Sequence, residues 1–282
     1  MRTTTRSGVR PLGSPDLDEF LALTDRNPTV NVFAAHRART TRLEPRLLGG
    51  EVWGRFVDGY LVAACHVGAN LVPVEADADD VLAFAERLLR RGRTVSTIVG
   101  PEPAVACLWD HLGAAWGPPR ETRWGQPHLV ADSAPLIDPD PLVRPSRAED
   151  FGALYPACVA MYTEELGVSP ELGGGAEGYR ARVRQLIHFG WSFARYERGR
   201  VVFKAEVAFA TPSNAQVQGV WVNPDRRGEG LAAAGMAAVV DHVRRTVAPS
   251  VSLYVNEWNE PARRAYDRVG FRQTDTFATI MF

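Results

Sequence analysis

The stretch Val220 to Ala234, VWVNPDRRGEGLAAA, is the densest in chemical potential. An apolar strand ends at Pro224, an Arg-Gly-Glu-Gly turn follows, and small residues open a helix. Glycines let a backbone approach a ligand closely, the N–H groups of a helix start point outward, and the helix dipole adds positive potential. Arg227, Gly228, Glu229, Gly230, Leu231 and Ala232 therefore read as a cradle for an anion the size of a diphosphate. In VVFKAEVAFA a period of two puts Val201, Phe203, Ala205, Val207 and Phe209 on one face and Lys204 with Glu206 on the other. A lysine two residues from a glutamate on a strand holds the carboxylate charged or recognises an anionic acceptor; a structural ion pair fits the pattern equally well. Lys204 is also the single lysine beside 31 arginines, and an ammonium does not replace a guanidinium. His36, His66, His111, His128, His188 and His242 show no ligand spacing, so no metal is expected. Cys65, Cys107 and Cys158 form no CxxC, so neither a zinc knuckle nor a disulfide framework is indicated. Trp221 and Trp258, beside the motif residues, either wall the cleft or fill core, and core is the preferred reading.

These residues need a scaffold. The chain has 282 residues, 45% of them apolar, with 32 basic and 33 acidic side chains and a net charge of -1. That length suits two domains. Scattered arginines in a balanced charge disfavour nucleic acid or an anionic membrane as partner. The longest apolar stretch, Tyr60 to Val72, is broken by His66, Gly68 and Asn70 and falls short of a span. The N-terminal MRTTTRSGVRPLGS lacks the hydrophobic region of a secretory signal, so a cytoplasmic location is expected.

The proline- and aspartate-rich stretch 132–141, DSAPLIDPDP, reads as a linker between domains over 1–131 and 142–282. After it come a short extended piece, Leu142 to Arg144, and a capping box formed by Ser146 and Glu149, which opens a helix to Leu166. A second helix follows Gly173 to Gly175 and ends near Gly190. Strands are expected at Trp191–Tyr196, Val201–Ala210, Ala215–Val222, Val251–Val255 and at the C-terminus, with helices at Gly230–Thr246 and Pro261–Arg268. The order is β-α-α-β-β-β-α-β-α-β. The first half parses alike: helices Pro15–Thr24 and Asn31–Arg42, strands Glu51–Val57, Tyr60–Val67 and Asn70–Val74, a helix Asp79–Arg91, a strand Val95–Val99, a helix Pro103–Leu112 and a strand Gln126–Val130.

Arg227, Gly230 and Ala232 match Arg/Gln-x-x-Gly-x-Gly/Ala, and this segment resembles the acyl-CoA signature of the GNAT acyltransferase superfamily. Asn259-x-x-Ala262-x-x-x-Tyr266-x-x-x-Gly270-Phe271 is similar to that superfamily's second signature, and the resemblance covers Leu142 to Phe282. It implies an α/β fold, a mixed and mostly antiparallel sheet flanked by helices, present here as a tandem GNAT-like acyl-CoA N-acyltransferase fold with a degenerate N-terminal copy. It further implies acetyl-CoA as co-substrate, with Val220, Trp221 and Val222 along the pantetheine arm and a backbone N–H there as oxyanion donor. Arg227 to Ala232 would hold the diphosphate, Asn259 would bond the arm, and Tyr266 would protonate the departing thiolate. Glu206 leads as general base; Glu164 and Glu165, at the end of a helix that walls the acceptor site in this fold, are the other acceptor-side candidates, along with Lys204. In the first half the counterpart of the cradle is VEADADD, where Glu75, Asp77, Asp79 and Asp80 would repel a diphosphate, so no CoA is expected there. The same carboxylates suit a helix N-terminus.

The expected function is therefore acyl-CoA-dependent N-acetyl transfer to a primary amine, of a small molecule, peptide or protein, through a ternary complex. Two alternatives remain: an acyl-CoA sensor or scaffold without catalysis, and an aminoacyl-tRNA-dependent transferase, which the near-neutral charge and the cradle disfavour.

Overall fold

The computed structural model describes residues 7–282; the first six, part of the basic N-terminal stretch read above, lie outside the described residues. The chain divides into two compact units, one comprising residues up to His128 with Tyr254–Trp258 and Gln273–Phe282, the other Leu129–Leu253 with Asn259–Arg272.

In the first unit, β1 (Ser7–Pro11), α1 (Leu17–Thr24), α2 (Val32–Thr41) and α3 (Pro45–Leu48) precede the hairpin β2 (Glu51–Val57) and β3 (Tyr60–Val67). Then follow β4 (Asn70–Val74), α4 (Ala78–Arg91), β5 (Thr97–Pro101), α5 (Glu102–Trp116) and β6 (Glu121–Ala131). The hairpin turns at Asp58-Gly59, both with φ above zero, as a two-residue connection demands. Helix α4 is closed by a capping box: Asp77 accepts from the Asp80 N–H at 3.0 Å, and Asp80 accepts from the Asp77 N–H at 3.3 Å. Glu75 accepts from the side-chain amide of Asn31 at 2.7 Å. Two of the four carboxylates of VEADADD thus cap a helix and a third is tied to α2's N-terminus.

In the second unit, β7 (Arg144–Pro145), α6 (Phe151–Leu166), α7 (Ala176–His188), β8 (Ser192–Glu197), β9 (Arg200–Ala210), β10 (Ala215–Val222), α8 (Leu231–Thr246), β11 (Val251–Tyr254), α9 (Glu260–Val269) and β12 (Arg272–Met281) follow in turn. Its strands lie in the order β11-β10-β9-β8-β7; β7, β8, β9 and β10 pair antiparallel, and β10 and β11 pair in parallel. The alternation in β9 selects its two neighbours. Phe203 faces α8, where Gly235 is so close that an added Cβ would lie 2.7 Å from the ring. Lys204 faces the opposite side, where Met161 of α6 approaches.

Strand β12 pairs antiparallel with β5, from Phe277 opposite Pro101 to Met281 opposite Thr97, and buries Ala278 and Ile280 in the core under α4 and α5. The first unit therefore reads β1-β2-β3-β4-β5-β12-β6, and the compact units do not follow the linear division at 132–141. A strand's own pattern says that it pairs, not with which unit. The cap of α6 also differs from the expected Ser146/Glu149 box. Asp150 accepts from the Arg147 N–H at 2.7 Å and from both terminal nitrogens of Arg144 at 2.7 and 2.9 Å. Ser146 is drawn instead to the Tyr196 hydroxyl at 2.8 Å, because a short 3-10 turn over Ala148–Asp150 moves the helix start downstream.

Candidate active site

The site of the second unit begins where two strands part. β10 pairs with β11 only at Ala215 opposite Val251 and Gln216 opposite Ser252. Beyond these residues one edge of β10 keeps β9 as neighbour while the other has no strand partner among the described residues, which leaves a slot beside Val220 and Val222. A bulge accompanies the parting: the β9 register shifts between Gln218 and Trp221, so Gly219 and Val220 stand outside the ladder. Gly219 has φ of +61°, and a Cβ there would lie 3.0 Å from both Lys204 Nζ and Met161 Cε and 3.2 Å from Glu206 Cδ. Only glycine fits this conformation over so tight a floor.

That floor is polar. Lys204 Nζ donates to Glu206 Oε2 at 3.0 Å and to the Gly219 carbonyl at 3.1 Å, and Gln218 Nε2 donates to Glu206 Oε1 at 3.0 Å. Burial is the largest influence on Lys204 and by itself would lower its pKa, but the charge of Glu206, the neighbouring Cys158 and the hydrogen bond to Glu206 together outweigh it, and the ammonium is held raised and charged. Cys158 lies close enough to feel both charges, and burial pushes its thiol up to about 11, so it stays protonated. Tyr179 of α7 donates to the Cys158 carbonyl at 3.0 Å, and Arg182 donates to the Ala208 carbonyl at 3.2 Å. Lys204 is wholly buried and both of its bonds go to the protein, so it offers an anionic acceptor no surface, in contrast to the expected recognition role.

The cradle follows β10. Asn223 accepts from the Asp225 N–H at 3.1 Å to start a tight turn over Pro224–Arg226. Gly228 and Gly230 have φ of +84° and +80°, with nothing within 4 Å of an added Cβ at either. Among the described residues no side chain caps the N-terminus of α8. Open space above two left-handed glycines, with the first-turn N–H groups uncapped, fits a diphosphate held by Arg227 to Ala232. Arg227 has a partner in place of an anion: its Nη2 donates to both Glu164 oxygens at 2.7 Å, and its Nε to the Val222 carbonyl at 3.2 Å. Glu229 is held by Arg226 at 2.8 and 2.9 Å, so its side chain braces the turn. Leu231 is buried. Trp221 is buried as expected and donates from its indole to Glu164 at 3.2 Å. Trp258, for which core was the preferred reading, is 71% exposed in the turn between β11 and α9.

On α9, Asn259 caps the helix by accepting from the Ala262 N–H at 3.3 Å. Tyr266 is buried and packs its ring 5.7 Å from that of Phe271. Burial, with the charge of exposed Glu165 adding to it, holds the Tyr266 phenol well above its ordinary value and therefore protonated. Its hydroxyl makes no hydrogen bond among the described residues. The structure thus brings Lys204, Glu206 and the β10 bulge together, and ties Glu164 to the cradle through Arg227. Gln218, Gly219, Tyr179 and Arg182 were not singled out from the sequence. An isolated glycine inside the strand pattern QVQGVWV was the available signal for the bulge. Among the described residues no group of His, Cys, Asp and Glu could hold a metal ion, and no helix is long and apolar enough to cross a membrane.

Residues 177–271 match the model of the acetyltransferase (GNAT) family, and residues 50–154 match a domain of unknown function, DUF4081. No curated protein matches the chain. Among solved structures, one of a Drosophila protein is similar at a TM-score of 0.64 and 14% identity, covering 98% of this chain and 99% of that one. A tandem GNAT protein from the clavulanic acid biosynthesis pathway aligns at 0.57 and 17%, covering 97% and 98%. A GNAT-family acetyltransferase from Colwellia psychrerythraea aligns at 0.55 and 13%, covering 97% and 99%. At these identities the likeness is one of fold, and that fold is a mixed α/β one found in tandem GNAT proteins.

Proposed function

We propose that this chain, whose second unit carries a domain of the acetyltransferase (GNAT) family, an acyl-transfer family, is an N-acetyltransferase that moves an acetyl group from acetyl-CoA to a primary amine within a ternary complex. One observation carries the reading: β10 leaves β11 after Gln216, and the edge so opened runs directly into an uncapped helix start with two left-handed glycines. When bound, acetyl-CoA supplies a thioester whose acyl carbon takes the amine while the thiolate leaves. Arg227 to Ala232 hold the diphosphate by backbone N–H groups and a guanidinium. The parted edge at Val220 and Val222 lines the arm, and the Val220 N–H stabilises developing negative charge on the carbonyl oxygen. Asn259 braces α9 and bonds the arm. Tyr266, protonated and without another hydrogen-bond partner among the described residues, gives its proton to the leaving sulfur. Glu206 receives the amine's proton, through water because Lys204 and Gln218 already occupy its two oxygens. The acceptor is an amine of a small molecule, peptide or protein. The cysteines are unpaired, which suits a cytoplasmic setting.

The double occupancy of Glu206 favours one runner-up, a chain that binds acyl-CoA without transferring it. Incubating the full chain with acetyl-CoA and a panel of amines, followed by mass spectrometry for an added acetyl group, separates the two. Tyr266→Phe should bind CoA unchanged and lose on the order of 10²-fold in turnover; equal turnover removes the role of the phenol, and CoA binding without any acetylated product favours the runner-up.

A further inference from the structure

We infer that Lys204 is a positioning residue: its ammonium, by drawing the Gly219 carbonyl downward, sets the Gly219–Val220 peptide so that the Val220 N–H is presented on the opposite side, toward the donor's thioester oxygen. The inference rests on the acyl-CoA reading of the slot.

In a trans peptide the carbonyl and the following N–H point in opposite directions, and no cis bond occurs among the described residues. Fixing one end fixes the other. In a regular ladder β9 would perform that service, but the bulge removes Gly219 and Val220 from the register and leaves this peptide without a ladder partner to orient it. The ammonium takes over at 3.1 Å. A charged donor on the carbonyl also polarises the peptide and makes its N–H a stronger donor. Glu206, 3.0 Å away, balances the charge that would otherwise make so buried an ammonium untenable. Lys204 reaches no ligand itself, being fully buried, so it acts through the backbone. A guanidinium is too broad for the place: an added Cβ on Gly219 would already lie 3.0 Å from Nζ.

The chain holds one lysine, so labelling its side-chain nitrogen with 15N gives a single ammonium resonance to follow. In the wild-type full chain that resonance should move on adding acetyl-CoA and move distinctly less with CoA, which lacks the carbonyl. The carbonyl stretch of bound 13C-acetyl-CoA, read by isotope-edited infrared, should be lowered in Glu206→Gln and return toward its value in water in Lys204→Met/Glu206→Gln, with CoA affinity within about twofold of wild type. Equal ammonium shifts with both ligands, or the same carbonyl band in both variants, overturns the inference while leaving the donor reading standing. Failure of the wild-type chain to bind CoA at all overturns the donor reading and this inference with it. Should the double variant not fold, the wild-type ammonium shift decides alone.

Discussion

The energy stored in the Lys204–Glu206 pair follows from its burial. The Lys204 side chain is 0% exposed and that of Glu206 9%, so the ammonium has no water to fall back on and the carboxylate little. Lys204→Met keeps the volume but leaves a carboxylate facing one amide, and breaking a buried pair from one side costs about 3–5 kcal/mol. Glu206→Gln leaves the ammonium its Gly219 carbonyl and an amide oxygen, so it should cost less, about 2–3 kcal/mol. Removing both charges together lets two amides, Gln218 and the new glutamine, bond to each other. The double variant should therefore sit within about 2 kcal/mol of wild type, with a coupling energy of several kcal/mol. Urea denaturation followed by fluorescence and by circular dichroism measures all four proteins, and two probes are needed because the chain has two units. Singles whose costs simply add in the double, to within about 0.5 kcal/mol, would refute the claim that the two charges compensate each other.

Gly219→Ala should destabilise by about 2–4 kcal/mol, since it combines left-handed backbone with contacts of 3.0 Å to Lys204 and Met161. Gly228→Ala, left-handed but in open space, should cost only about 1–2 kcal/mol, and equal losses in the same denaturation assay would mean the floor yields. His66 and His128 are held neutral, burial pushing each down to about 4 from 6.5, with the charge of Arg37 adding to the effect at His66. The unfolded chain then takes protons first, so the stability these groups contribute is complete above pH 6.5 and is lost as pH falls through about 4, up to about 3 kcal/mol each. A flat stability profile across that window would contradict it. Asn259→Ala should cost about 1 kcal/mol through the lost cap, whereas Asn259→Asp keeps the cap acceptor and loses the amide donor. By calorimetry the aspartate variant should bind CoA more weakly at unchanged stability; unchanged affinity would confine Asn259 to capping.

Strands with β-branched alternation and clear turns were legible in the sequence: β2, β3, β4 and β10 have the expected bounds. β1 was not, because Gly8 and Pro11 are punctuation in local terms and the strand exists through its pairing with β2. β6 begins at Glu121, well before the expected Gln126, since its first half alternates exposed Thr122 and Trp124 with half-buried Glu121, Arg123 and Gly125. In the site, the cradle was legible because its chemistry lies in the backbone, and a run of glycines and alanine announces it. The period of two put Lys204 beside Glu206, but their depth was not readable: α6 and α7 close over that face, and nothing local to VVFKAE records the packing. Trp258 failed for the converse reason, as an apolar residue in a turn carries no mark of whether anything covers it.

Because β12 completes the first unit's sheet, that unit cannot finish folding until the whole of the second has been synthesised. Cutting the chain at 132–141 would not give two domains. It would give a first unit with the edge of β5 bare and Ala278 and Ile280 missing from its core, and a second unit trailing an unpaired, half-apolar strand. Its two units share one folding fate, and the order in which a ribosome delivers them leaves the N-terminal one waiting longest.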